Sequence, residues 1–361
     1  MTKTKSTNIA RQKGLAMTTA RLHNTPADIA AAAALLRAGA CVALPTETVY
    51  GLAANALDAD AVRGIFAAKG RPADNPLIVH LLCAADAVPL VAPGEADKLT
   101  MLGDFMPGPL TVILRRAARV PSVVSGGLDS VALRIPAHPV ARAVLAACGL
   151  PLAAPSANRS GSPSPTSAQH VLDDLDGAIA AVLDGGESAV GVESTVLSLT
   201  GDVPEILRPG AVTPEQLCAL LGEVRVAEAV LAPLSAHTQA ASPGMKYKHY
   251  APRLPVVLVR GSAENYAAWC NARACLALCF ARDAQFLRVP VFCYGAETDA
   301  ETQARLLFDG LRTLDTAAAA LQDAGGAAKL IIAAHAPAPN GVGLAVYNRL
   351  LRAAGFAVVE V

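Results

Sequence analysis

The chain has 361 residues, 53% hydrophobic and only 17% charged, and its 30 basic and 30 acidic side chains cancel. At roughly 100–200 residues per domain, that length predicts two domains, each long enough to bury a core. No run of about 18 apolar residues is free of charges or prolines, so no transmembrane helix is predicted; a zero net charge excludes a uniformly basic nucleic-acid coat, though not a local basic patch.

Residues 1–22 carry Lys3, Lys5, Arg11, Lys13 and Arg21, with no acid and no apolar signal-peptide core. They read as a disordered basic extension, and translation could start at Met1 or at Met17. Thr25 and Pro26 then suit the cap and first turn of a helix over 26–37, with Gly39 to end it. Residues 41–44 read as a short buried strand, and from there strands and helices alternate. Strands are predicted at 77–82, 110–114, 131–135, 180–183 and 195–199, and helices at 58–69, 138–148 and 213–221. That mixture indicates an α/β or α+β domain over 23–227 with a mixed sheet.

Periodicity disappears over 228–252, which ends in S-P-G-M-K-Y-K-H-Y-A-P at 242–252. Two tyrosines, a histidine and two lysines so close together suit an ordered linker better than a flexible tether. Strands at 256–259, 275–280 and 329–333 and helices at 302–324 and 342–354 then describe a small parallel α/β domain over 253–361. The eight cysteines show no C-x-x-C and no His/Cys ligand spacing, which fits reduced core thiols in a cytosolic protein.

The sequence holds no G-x-x-x-x-G-K-[ST], no G-x-G-x-x-G after the first strand and no H-E-x-x-H, so any bound phosphate must be held by side chains and irregular loops. Four segments offer such chemistry. P-T-E-T-V-Y-G-L at 45–52 puts two hydroxyls and a carboxylate at the carboxyl end of a strand, where open α/β sheets place ligands. K-G-R-P-A-D-N-P at 69–76 projects Lys69, Arg71 and Asn75 from a constrained loop, a point charge and a planar fork suited to phosphate oxygens. A-P-S-A-N at 154–158, followed by S-G-S-P-S-P, offers short hydroxyls and an amide. G-V-E-S-T-V at 191–196, with R-P-G at 208–210, places Glu193 where it needs a partner. Each segment alone fits a plainer reading: a capped polar turn, a lysine complementing a helix terminus, a Ser/Pro turn, a structural ion pair. His80 and Arg134 likewise fit either a pocket or a satisfied core, and Trp269 fits packing.

Taken in order, P-T-E-T-V-Y-G-L, K-G-R-P-x-x-N-P-L, A-A-P-S-A-N, S-P-S-P-T, G-V-E-S-T-V and L-R-P-G resemble the YrdC-type family of threonylcarbamoyl-AMP synthases over about residues 26–221. The 242–252 string looks like the linker of that family's two-domain form, whereas the C-terminal domain matches only in position and pattern. The resemblance implies a twisted mixed open sheet with a concave cationic cavity, plus a smaller C-terminal Rossmann-like α/β domain. It implies that L-threonine, bicarbonate and ATP give threonylcarbamoyl-AMP and pyrophosphate, that Mg²⁺ accompanies ATP with no protein metal site, and that a tRNA-modifying threonylcarbamoyl transferase receives the product. It assigns phosphate chemistry to Lys69 and Arg71, further ATP contacts to Asn75, Ser125, Ser156, Asn158, Ser164, Arg208 and Tyr250, and threonine contacts to Thr48, His80, Arg134, Ala154 and Ser194. A linker tyrosine among these implies that the linker folds back as a lid, anchored by the second domain. Two other readings compete: an RNA-binding or ribosome-assembly factor using the same cavity, disfavoured by neutral charge and few aromatics, and a carbamoyltransferase of hydrogenase maturation, disfavoured by the lack of C-x-x-C.

Overall fold

The computed structural model describes residues 18–72, 75–233, 249–323 and 329–361. The expectations for 1–17 and for the linker residues 234–248 lie outside these. In chain order the strands of the first sheet are β1 (Ala20–Leu22), β2 (Val42–Leu44), β3 (Gly51–Asn55), β4 (Ile78–His80), β5 (Leu110–Arg115), β6 (Ser130–Arg134), β7 (Leu152–Ala153), β8 (Ala181–Leu183), β9 (Thr195–Ser198), β10 (Glu205–Arg208) and β11 (Arg225–Val226). They lie side by side as β1-β8-β2-β3-β7-β4-β6-β5-β9-β10-β11, with parallel and antiparallel pairs mixed. The second sheet holds β12 (Val256–Arg260), β13 (Cys275–Cys279), β14 (Val291–Cys293), β15 (Ile331–His335) and β16 (Val358–Glu360) in the order β14-β13-β15-β12-β16, every pair parallel. The predicted mixed sheet and parallel C-terminal unit are both present.

The helices of the first unit are α1 (Pro26–Arg37), α2 (Ala59–Lys69), α3 (Asp97–Thr100), α4 (Ser122–Ser125), α5 (Pro139–Cys148), α6 (Ala168–Leu175) and α7 (Pro214–Leu221); α8 (Ala263–Asn271), α9 (Ala300–Asp323) and α10 (Gly343–Ala353) belong to the second. Local chemistry sets their ends. Thr25 caps α1 by accepting from the Asp28 amide at 3.2 Å, with Pro26 in the first turn. Asp58 caps α2, and Gly70, at φ 62°, ends it in the left-handed conformation that a Cβ disfavours. That stop fixes where Lys69 and Arg71 emerge.

One expectation is corrected. Residues 20–22 are not part of a disordered extension but form an edge strand, pairing in parallel with Ala181–Leu183. Thr19 anchors it: its buried hydroxyl donates to the Ile179 carbonyl at 3.1 Å, and its amide to the Asp176 carboxylate at 3.0 Å. An all-basic composition hid a short ladder whose pairing is backbone to backbone.

The first sheet is covered on both faces by apolar clusters, one centred on Leu52, Ile65 and Leu133 and the other on Leu36, Val144 and Leu183. The second unit's cluster, built on Leu258, Phe308 and Leu350, also takes in Val49, Val192 and Tyr250, so the two units share a core. Gly191 marks their closest approach: a Cβ there would stand 2.3 Å from the Arg305 Cα on α9. Cys270, Cys275 and Cys279 are buried free thiols as expected, whereas Cys83, Cys218 and Cys293 are exposed.

Candidate active site

Thr46 organises the 45–50 turn through its own side chain. Its hydroxyl donates to the Val49 carbonyl at 2.6 Å and sits 2.8 Å from the Thr48 hydroxyl. The turn delivers Thr48 and Glu47 to Arg134, at the end of β6. Arg134 Nη1 donates to Thr48 Oγ1 and Nη2 to Glu47, both at 2.8 Å, while Nε reaches the Gly108 carbonyl at 3.3 Å. A guanidinium has five N–H donors, so three such bonds leave two for a further anion. Arg134 holds Glu47 below the ordinary carboxylate range against the opposing push of burial.

The 154–158 strand-and-turn hydrogen-bonds to β3 and the turn before it, Leu52 donating to the Pro155 carbonyl and Ala157 to that of Tyr50, each at 2.8 Å. Lys69 fixes the rest of this turn. Its ammonium donates to the carbonyls of Ser156 at 2.6 Å and Asn158 at 2.5 Å, and to Asn158 Oδ1 at 3.3 Å. Only 3% exposed, it stands behind the turn and does not line the cavity. Burial, and then Arg71, push its pKa well below the ordinary lysine value. Where the sequence reading has Lys69 project from its loop, the side chain instead turns inward here, to three oxygens.

At the far wall, Gly210 lets the R-P-G turn press on β9; a Cβ there would meet the Thr195 amide nitrogen at 2.3 Å. Arg208 then donates through Nε to the Ser194 carbonyl at 3.1 Å and through Nη2 to the Ser194 hydroxyl at 3.2 Å. Tyr250 closes the site. It is 6% exposed, adopts φ 65°, lies 5.4 Å from the Phe308 ring, and is faced by the Arg349 guanidinium at 5.5 Å.

The result is one cavity of about 50 Å³, room for a few waters. Thr48, His80, Arg134, Ala154 and Ser194 line it together with Arg71, Ser156, Arg208 and Tyr250. All five expected threonine contacts are thus in one place, with four of the expected ATP contacts. Asn75, Ser125, Asn158 and Ser164 are not at its wall. Asn75 is buried, and among the described residues neither Nδ2 nor Oδ1 of its side chain has a hydrogen-bond partner, a disposition suited to a ligand. Ser125 donates to the Ser122 carbonyl, Asn158 orders its own loop, and Ser164 donates to Glu193. Sequence reasoning missed His249 and the position of Glu193, which both line the cavity; the isolated acid inside G-V-E-S-T-V was the signal for Glu193.

Burial, and then Arg134 for His80 or Arg71 for His249, push both histidines down to about 3. The unfolded chain protonates them near pH 6.5, the folded chain only near 3, so their contribution is complete above pH 6.5 and is lost as pH falls toward 3. Each adds up to about 1.4 kcal/mol per pH unit to that slope. Urea melts should show His80→Gln flattening the fall between pH 6.5 and 5; an unchanged slope would mean that His80 is not buried neutral.

Residues 34–210 match the family model described as telomere recombination (Sua5_yciO_yrdC), and residues 212–355 match the threonylcarbamoyl-AMP synthase C-terminal domain (Sua5_C). A threonylcarbamoyl-AMP synthase of Bacillus subtilis is 42% identical over 349 residues, 95% of this chain and 97% of its own. One of Pyrococcus abyssi is 42% identical over 340 residues, 91% and 95%. The crystal structure of P. abyssi Sua5 complexed with L-threonine superposes with a TM-score of 0.83 at 39% identity, covering 95% of this chain and 99% of that one.

Proposed function

The chain belongs to the threonylcarbamoyl-AMP synthase family in its two-domain Sua5 form, and from that premise we propose how its cavity carries out the reaction. L-threonine, bicarbonate and ATP become threonylcarbamoyl-AMP and pyrophosphate. The threonine amine takes up the bicarbonate carbon as a carbamate with loss of water; a carbamate oxygen attacks the α-phosphorus, and pyrophosphate leaves. The carbamate is short-lived, so holding it beside the phosphate is a large part of the task.

The observation that carries this reading is the convergence of Thr48, His80, Arg134 and Ser194 with Arg71, Ser156 and Arg208 on a single cavity. The two uncommitted N–H groups of Arg134 suit the threonine carboxylate, with the hydroxyls of Thr48 and Ser194 close by. Arg71 and Arg208 suit the charge that grows on the leaving pyrophosphate. Asn158, bound by Lys69, and Ser164, bound to Glu193, would support the nucleotide's wall indirectly. Among the described residues no three His, Cys, Asp or Glu side chains form a metal cluster. Mg²⁺ arriving with ATP would lend charge at the phosphate oxygens.

The cavity as it stands has room for little more than water, and we propose that the segment carrying His249 and Tyr250, which lines it, withdraws for the nucleotide to enter and returns to exclude water. Phe308 and Arg349 give it a seat on the second domain. The product would pass to a tRNA-modifying threonylcarbamoyl transferase. No helix among the described residues is long and apolar enough to cross a membrane; the free thiols suit work in the cytoplasm. Relatives matched along nearly the whole chain are synthases, which sets aside the RNA-binding and hydrogenase-maturation readings. The test is pyrophosphate release from ATP with threonine and bicarbonate supplied singly and together. Release only when both are present is expected; release indifferent to threonine would defeat the assignment.

A further inference from the structure

Helix α10 is buried along its whole length, yet it carries Asn348, Arg349 and Arg352. Such a helix persists only if its polar groups find partners, and all three find them in or beside the first domain. Asn348 Nδ2 donates to the Val230 carbonyl at 2.6 Å, and Arg352 Nη2 to that of Ala229 at 2.5 Å. Arg349, with 0% exposure, reaches furthest. Its Nε donates to Glu193 Oε2 at 2.8 Å, Nη1 to the Pro209 carbonyl at 2.9 Å, and Nη2 to the Glu193 carbonyl at 3.3 Å.

Those acceptors belong to the cavity's own frame. Glu193 lines it, and its other carboxylate oxygen accepts from Ser164. Pro209 follows Arg208, whose guanidinium binds Ser194. A buried ion pair is weak evidence for stability, because desolvation opposes the Coulomb attraction; fixing geometry is its best-attested use. Resting on the function proposed above, we propose that Arg349 of the C-terminal domain is a positioning residue for the nucleotide half of the site, holding Glu193, and through it Ser164 and the Arg208 turn, in the arrangement that receives ATP. Without it, Glu193 is a buried anion stripped of its ion-pair partner and facing the place where phosphates must sit. Of the expected threonine contacts Arg349 touches none of Thr48, His80 and Arg134; Ser194, which follows Glu193, is the one it adjoins. The C-terminal domain thereby becomes a component of the nucleotide site.

The experiment is calorimetric titration of the full chain with α,β-methylene-ATP and, separately, with L-threonine. Arg349→Lys keeps a charge near Glu193 but cannot span acceptors on two separate segments. It should weaken nucleotide binding about tenfold or more and leave threonine binding within about twofold. The double variant R349M/E193Q removes both charges, while the side-chain amide oxygen introduced at position 193 can still accept from Ser164. It leaves no unpaired buried charge and remains foldable, but methionine cannot reach the Pro209 and Glu193 carbonyls, so nucleotide binding should again fall about tenfold or more while threonine binding stays within about twofold. Wild-type nucleotide affinity in Arg349→Lys overturns the proposal. Equal loss of both ligands in both variants also overturns it, since that is how a merely loosened domain interface would behave. A wild-type chain that binds nucleotide but forms no pyrophosphate with threonine and bicarbonate would defeat the functional reading alone; one that binds no nucleotide would defeat both.

Discussion

Replacing Arg71 with alanine is expected to lower kcat/KM for threonine-dependent pyrophosphate release by about 30- to 1,000-fold, equivalent to ~2–4 kcal/mol of barrier. Arg71 is half-buried at the cavity wall, with Nη2 steered by the carbonyls of Asn75 at 3.5 Å and Pro76 at 3.2 Å. These carbonyls orient the planar fork, whose paired donors suit phosphate oxygens. Gly70 fixes the direction in which it leaves α2. Lysine should restore little, since a single ammonium cannot serve the loop carbonyls and a phosphate together. Thermal stability should fall far less than activity, because a half-buried side chain leaves water within reach of the carbonyls it served. A loss of activity below about fivefold would mean that the phosphates are gripped elsewhere.

Lys69→Met should give a different pattern, a loss of activity accompanied by a loss of about 2–4 kcal/mol of stability. The carbonyls of Ser156 and Asn158 would lose their buried donor. The 156–158 turn would then relax, carrying the Ser156 hydroxyl, now 2.6 Å from Asn158 Oδ1, out of register with the cavity. Urea melts run beside turnover separate the alternatives. Unchanged stability with abolished turnover would return Lys69 to the direct phosphate role that its motif suggests.

The difference between these two neighbours shows where reading a sequence stops. Both stand in one motif, and both look like phosphate ligands by composition. Which one faces the cavity depends on the phase at which α2 ends and on a turn 87 residues away, and no local pattern encodes that. Helices with caps, such as α1 and α2, were legible because their signals are local. Strand β3 was not, since Gly-Leu-Ala-Ala-Asn has no strand composition and is defined by its neighbours β2 and β7. All five expected threonine contacts converge because each sits at a strand end or in the turn beside one. The partner of Glu193 was unreadable, for Arg349 lies 156 residues further on and in another domain.

Tyr250 has a backbone conformation that non-glycine residues avoid, at about 1–2 kcal/mol per residue. Part of what its buried ring contributes is therefore offset in this arrangement, and the proposed withdrawal would recover it. An offset of that size shifts the balance between shut and open forms roughly 5- to 30-fold, so arriving ATP has less opposition to overcome than the packing of the ring implies. On the proposed lid motion, strain held at Tyr250 would favour rapid exchange of substrate and product over long retention.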